Sequence, residues 1–270
     1  MNKILMSVRT AVAAIPALVA LTACAGVAST PTTPAAATAT SGWADAGQMI
    51  LVITPDWDAT QGTLRRFERD GAQWRAVGDA FPVTVGRTGI AWGLGLHPAQ
   101  SGGPVKHEGD GRAPAGVFRI GTAFGYAPTA RTALSYAPMG ATDWCVDVDG
   151  SPYYNRIVDS REVGDAAVAG STEPMRRDLH ADGDQRYRMG FVIEQNPDAR
   201  AGGGSCIFGH LWKAPGEATS GCTAMDPASM EALYGWLDRA RHPVLVQLTR
   251  DEARRLAVAW RLPALDDRAR

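Results

Sequence analysis

Eight short runs, each four to seven residues long, recur along this chain: Met49–Ile53, Thr63–Arg69, Gln73–Val77, Phe81–Val85, Val117–Ile120, Met189–Glu194, Cys206–His210 and Pro243–Leu248. They are rich in apolar and β-branched residues or alternate in polarity, and none is long enough for an amphipathic helix, so each reads as a strand. Asp70-Gly71 between the second and third is a hairpin signal. Glycine- and proline-rich stretches, notably 93–116 and 196–204, separate the rest, as 30 Gly and 17 Pro in 270 residues allow. Two helices stand out. One opens at Asp226 with Pro227 in its first turn and an apolar face of Met230, Leu233, Tyr234 and Leu237. The other opens at Thr249, with Glu252 three residues on as a capping box. The fold class that follows is mainly β, a single mixed β-sandwich domain with a few short helices.

That domain begins at about Trp43. Before it, Lys3 and Arg9 precede the apolar segment Thr10–Leu21, which is too short to span a bilayer and fits an export signal. Leu21-Thr22-Ala23-Cys24 resembles a bacterial lipobox, in which Cys24 is acylated and becomes the first mature residue. Cleavage after Ala23-Cys24-Ala25 would instead discard that cysteine; both routes export the chain. Residues 25–42, nearly all Ala, Thr, Ser, Pro and Gly, read as a flexible linker. The organisation expected is thus a lipoprotein-type signal (1–24), a linker (25–42) and a working domain (43–270), held at a membrane in the cell envelope. A net charge of -1 argues against a nucleic-acid partner.

Candidate chemistry lies between Gly204 and Met225. A short strand delivers His210, a Pro/Gly loop follows, and Cys222 sits in the turn Ser220-Gly221-Cys222 before a helix. A thiol and an imidazole on neighbouring elements suit nucleophilic catalysis, with His210 as base and then acid and the amides around Ser220 and Gly221 placed for an oxyanion. A buried structural cysteine with a surface histidine is the plain alternative. A zinc site would need more than the two ligands His210 and Cys222, so no metal and no cofactor is expected. Of the other histidines, His97 and His107 lie in the 93–116 loop, where they either line the cleft or are plain loop residues. His180 reads as solvated and His242 as a cap before Pro243. Cys145 and Cys206 remain, as a disulfide in an oxidising compartment or as two buried thiols. The segment 155–188, with Arg176, Arg177, Arg186 and Arg188, reads either as a groove for anionic groups or as a solvated insertion.

At these residues the chain is similar to the YkuD-like L,D-transpeptidases. The resemblance rests on 86–92 (GRTGIAW), 108–118 (EGDGRAPAGVF), Trp144-Cys145 with Tyr154-Asn155-Arg156, 189–194 (MGFVIE), 207–212 (IFGHLW) and 218–225 (ATSGCTAM). Ser220 stands where many members have His, Thr223-Ala224-Met225 follows the cysteine where many have Arg or Asn, and Ala113 replaces a common Thr. The resemblance implies a peptidoglycan-active enzyme in which Cys222 attacks the tetrapeptide stem before its terminal D-Ala, forms a thioester and passes the acyl group to an amine. Transfer to water would make it an L,D-carboxypeptidase or hydrolase. A wall-binding lipoprotein without catalysis is the alternative of another class.

Overall fold

The computed structural model describes residues 42–265. The signal, almost all of the linker and Cys24 therefore lie outside the described residues. The chain opens with β1 (Gln48–Thr54), whose β-branched residues are almost wholly buried, then the hairpin of β2 (Gln61–Asp70) and β3 (Gln73–Thr84) turning at Asp70-Gly71. Short β4 (Ile90–Trp92) and long β5 (Ala113–Gly125) follow, then β6 (Tyr136–Pro138), β7 (Asp143–Cys145), β8 (Ile157–Asp159), β9 (Glu173–Pro174), β10 (Met189–Ile193), β11 (Phe208–Leu211), β12 (Thr223–Met225) and β13 (Val244–Thr249). Helices α1 (Ser160–Val163), α2 (Asp165–Val168) and α3 (Arg177–His180) are single turns; α4 (Pro227–Trp236) and α5 (Arg250–Leu256) are longer.

Ten strands make one mixed sheet, ordered β10-β11-β12-β3-β2-β1-β13-β5-β4, with β6 also on β5. The thirteen residues of β5 serve two neighbours in succession. Gly116–Arg119 pairs with β13, and Ile120–Gly125 pairs with β10. The pairing path thereby returns to its start, leaving little free edge for intermolecular pairing. β7, β8 and β9 form a separate three-stranded sheet.

The mainly β expectation with few short helices is met. Asp226 caps α4 by accepting from the Ser229 N–H at 3.0 Å. At α5 the Thr249 hydroxyl accepts from Glu252 N–H at 3.1 Å, while the Glu252 carboxylate turns outward to Arg255. Two boundaries differ from the sequence reading. Gln73–Val77 and Phe81–Val85 belong to one strand, β3, because the chain absorbs Gly78 (φ 63°) in a bulge opposite β2. The glycine-rich loop after Trp92 ends at Arg112, since 113–116 are already in β5.

Two apolar cores result. The larger packs β1, β13 and β5 against α4 and α5, with Phe118, Met230 and Leu233 fully buried. The smaller joins Phe124, Met139, Cys145, Met175, Tyr187, Cys206, Phe208 and Cys222. The candidate thiol is thus part of a core packed between the large sheet and the small one.

Candidate active site

β11 and β12 run parallel, with Gly209 opposite Thr223 and His210 opposite Ala224. Continued one step, this register sets Cys222 opposite Phe208. Residues 208 and 210 share a face because strand side chains alternate, so His210 and Cys222 occupy the same face as diagonal neighbours on adjacent strands. Both are buried, at 3% and 8% exposure. Cys222 is the free cysteine among the described residues.

The Cys222 sulfur accepts the Phe208 backbone N–H at 3.3 Å and faces the Cys206 carbonyl at 3.6 Å. His210 Nδ1 lies 2.7 Å from Leu211 O. A carbonyl only accepts, so Nδ1 carries the proton and Nε2 is the basic nitrogen. No hydrogen bond joins the two side chains among the described residues. Burial pushes the thiol up to about 12, helped by the negative charge of Glu173, against the pull of the Phe208 N–H, Lys106 and Arg186. Burial likewise pushes His210 down to about 4. Burial thus favours a neutral thiol beside a neutral imidazole in the resting protein.

The turn before the nucleophile is tightly held. Thr219 Oγ1 accepts from Gly221 N–H at 3.1 Å and donates to Cys222 O at 2.6 Å. A Cβ on Gly221 would stand 3.1 Å from Arg112 O, which explains a glycine there. Ser220 is exposed.

Two residues that the sequence reading did not single out complete the surroundings. Tyr187 sets its ring edge-on to His210, centroids 5.3 Å apart, and its hydroxyl donates to the Glu173 carboxylate. Burial pushes both Glu173 and Tyr187 up, and Arg177 stands 3.6 Å from Glu173. Nothing in a linear pattern marks Glu173 or Tyr187, because they arrive on the small sheet and the segment after it.

The structure joins Cys145 to Cys206, Cα atoms 5.9 Å apart. The bond ties β7 of the small sheet to the residues just before β11. The arginines of 155–188 are largely spoken for: Arg176 pairs with Asp178 (2.7 Å), while Arg177 and Arg186 share Asp184 (3.1 and 2.8 Å). Arg188 is exposed. His97 lies in the larger core, its Nδ1 accepting from Val117 N–H at 3.1 Å beside Trp92, Phe118 and Trp260. His107 is exposed and His180 reaches Ala141 O at 2.8 Å. His242 closes the short turn at Arg239–Arg241.

Next to Phe208, whose backbone N–H meets the thiol, is a cavity of about 470 Å³, bordered also by Phe124, Met139, Cys145 and Ile207, with Arg156 at its wall; neither Cys222 nor His210 lines it. Its volume and mostly apolar lining suit a short peptide. The Arg156 guanidinium has no hydrogen-bond or ion-pair partner among the described residues.

The family model described as the L,D-transpeptidase catalytic domain (YkuD) matches residues 56–246. No curated protein and no solved structure matches the chain.

Proposed function

This chain belongs to the YkuD family of L,D-transpeptidase catalytic domains, and on that footing we propose that Cys222 and His210 run a thioester transpeptidation on peptidoglycan stems. Family membership supports L,D-transpeptidase-type action on peptidoglycan. The finer reading rests on one observation: a free thiol and an imidazole with a basic Nε2 share one face of two adjacent parallel strands.

The donor stem enters the cavity beside Phe208, its carboxylate drawn to Arg156. His210 Nε2 takes the thiol proton and Cys222 Sγ bonds to the carbonyl carbon of the third stem residue. The C–N bond to the terminal D-Ala breaks, and the departing amine takes the proton from His210. An acceptor amine then gives its proton to His210 and attacks the thioester; the C–S bond breaks, the thiolate takes that proton back, and a cross-link is left on the stems. The Phe208 N–H steadies charge on the sulfur throughout. No metal or organic cofactor enters these steps.

The same reading makes the protein an exported lipoprotein, with Cys24 acylated and residues 25–42 as tether.

Incubation of the mature protein with disaccharide-tetrapeptide, followed by mass analysis, tests it. Cross-linked dimer supports transpeptidation and tripeptide alone assigns water as acceptor. Unchanged substrate with a folded protein sinks the enzyme reading.

A further inference from the structure

Only three lysines occur in the chain: Lys3, Lys106 and Lys213. The second is out of place for its type. Lysine is almost never buried without a purpose that offsets its desolvation, yet the Lys106 side chain is 4% exposed. It lies in the glycine-rich loop before β5, and the structure brings it to the nucleophile turn. A Cβ on Gly221 would stand 3.8 Å from Lys106 Nζ, and one on Gly204 would stand 2.9 Å from its Cε. The glycines at 204 and 221 thus leave the space that the lysine fills.

An ammonium has three donors. One goes to Asp110 Oδ1 at 2.8 Å and one to His107 O at 3.3 Å. The third has no partner among the described residues. Asp110 is itself fixed, accepting from His107 N–H at 2.8 Å and Arg112 N–H at 2.9 Å.

We propose that Lys106 is the buried cation that holds negative charge on Cys222, a positioning residue anchored by Asp110. The inference rests on Cys222 being the nucleophile. When the thiol proton passes to His210, the sulfur becomes an anion inside a core. A fixed ammonium beside Gly221, the residue before the nucleophile, offsets that charge without moving. The other charged or titratable groups around the sulfur are Glu173 and Tyr187 on the small-sheet side, Arg186 beside them, and His210 on β11. Glu173 opposes the thiolate, and Lys106 and Arg186 favour it.

The test is the pH profile of Cys222 alkylation by iodoacetamide, read by mass spectrometry on the full chain with its disulfide intact. Lys106→Met should move the midpoint up by about one unit or more, which is about tenfold in rate below it, and Lys106→Arg should restore it. An unmoved midpoint in folded Lys106→Met overturns the proposal and leaves Lys106 a structural residue. If that variant does not fold, Asp110→Asn decides. It removes the carboxylate that shares the ammonium, so the midpoint should fall; a rise or no change overturns the proposal. Iodoacetamide reads the thiol and not the transpeptidation. A normal shift without product from tetrapeptide would therefore fault the substrate reading alone, and product without the shift would fault Lys106 alone.

Discussion

Tyr187 holds His210 by its ring and Glu173 by its hydroxyl, so one side chain links the imidazole to a buried carboxyl on the opposite sheet. The two contacts separate by mutation. Tyr187→Phe keeps the ring on His210 and strips Glu173 of its donor, which should lower stability by about 1–3 kcal/mol with kcat little changed. Tyr187→Ala also frees the imidazole and should cost about tenfold or more in kcat. Thermal melts beside turnover on tetrapeptide check both, and equal kcat losses would deny the ring its orienting role.

Carbapenem acylation should fall on Cys222 and nowhere else. Cys222→Ala should abolish the mass shift, and His210→Ala should slow it by about a hundredfold or more, the usual range for a lost general base. Wild-type rates in folded His210→Ala would remove His210 from the mechanism.

Mild acid should weaken the fold through two buried histidines. His97 and His210 are both pushed by burial to about 4, from the ordinary 6.5. Between those values the unfolded chain binds the protons and the native chain does not. The histidine contribution to stability therefore falls as pH drops from 6.5 to 4 and levels below, by on the order of 3 kcal/mol for each histidine. Glu173, pushed up by burial, works the other way in the same window. His97→Asn keeps an acceptor for Val117 and should make the fall in Tm visibly shallower. An identical pH slope would exclude His97 as a source.

Removing the staple should loosen the small sheet. Cys145→Ser with Cys206→Ser frees a loop of 61 residues, worth up to about 4 kcal/mol of unfolded-chain entropy. Cys222 should then alkylate faster at neutral pH, because the sheet that buries it is no longer tied beside it. Slower or unchanged alkylation would show that the bond does not control access.

Cys24→Ser should release the full-length protein from membranes into the soluble envelope fraction. An unchanged membrane fraction would refute the lipobox.

What could be read from the sequence is what is decided locally. Asp226 caps α4 because its carboxylate meets an amide three residues away. The strand–loop–turn order of His210 and Cys222 lies within one stretch, so their juxtaposition followed from a short segment. Gln73–Val77 and Phe81–Val85 looked separate because Gly78 interrupts the alternation, and only pairing with β2 carries the strand through it. Arg176, Arg177 and Arg186 looked free because their acidic partners are assigned by the fold. Lys106 was invisible for the opposite reason. A lysine among glycines reads as solvated, and its burial depends on Gly204 and Gly221, each about a hundred residues or more away. Its scarcity and its i,i+4 spacing to Asp110 were the available signals.

The bond between Cys145 and Cys206 sets a practical dilemma. The Cys206 carbonyl faces the Cys222 sulfur, so the staple and the reactive thiol share one neighbourhood. A reducing agent added to keep the nucleophile from oxidising will also attack the staple. Preparations made with and without reductant are then two different proteins, one buttoned and one open, and rates measured on them answer different questions.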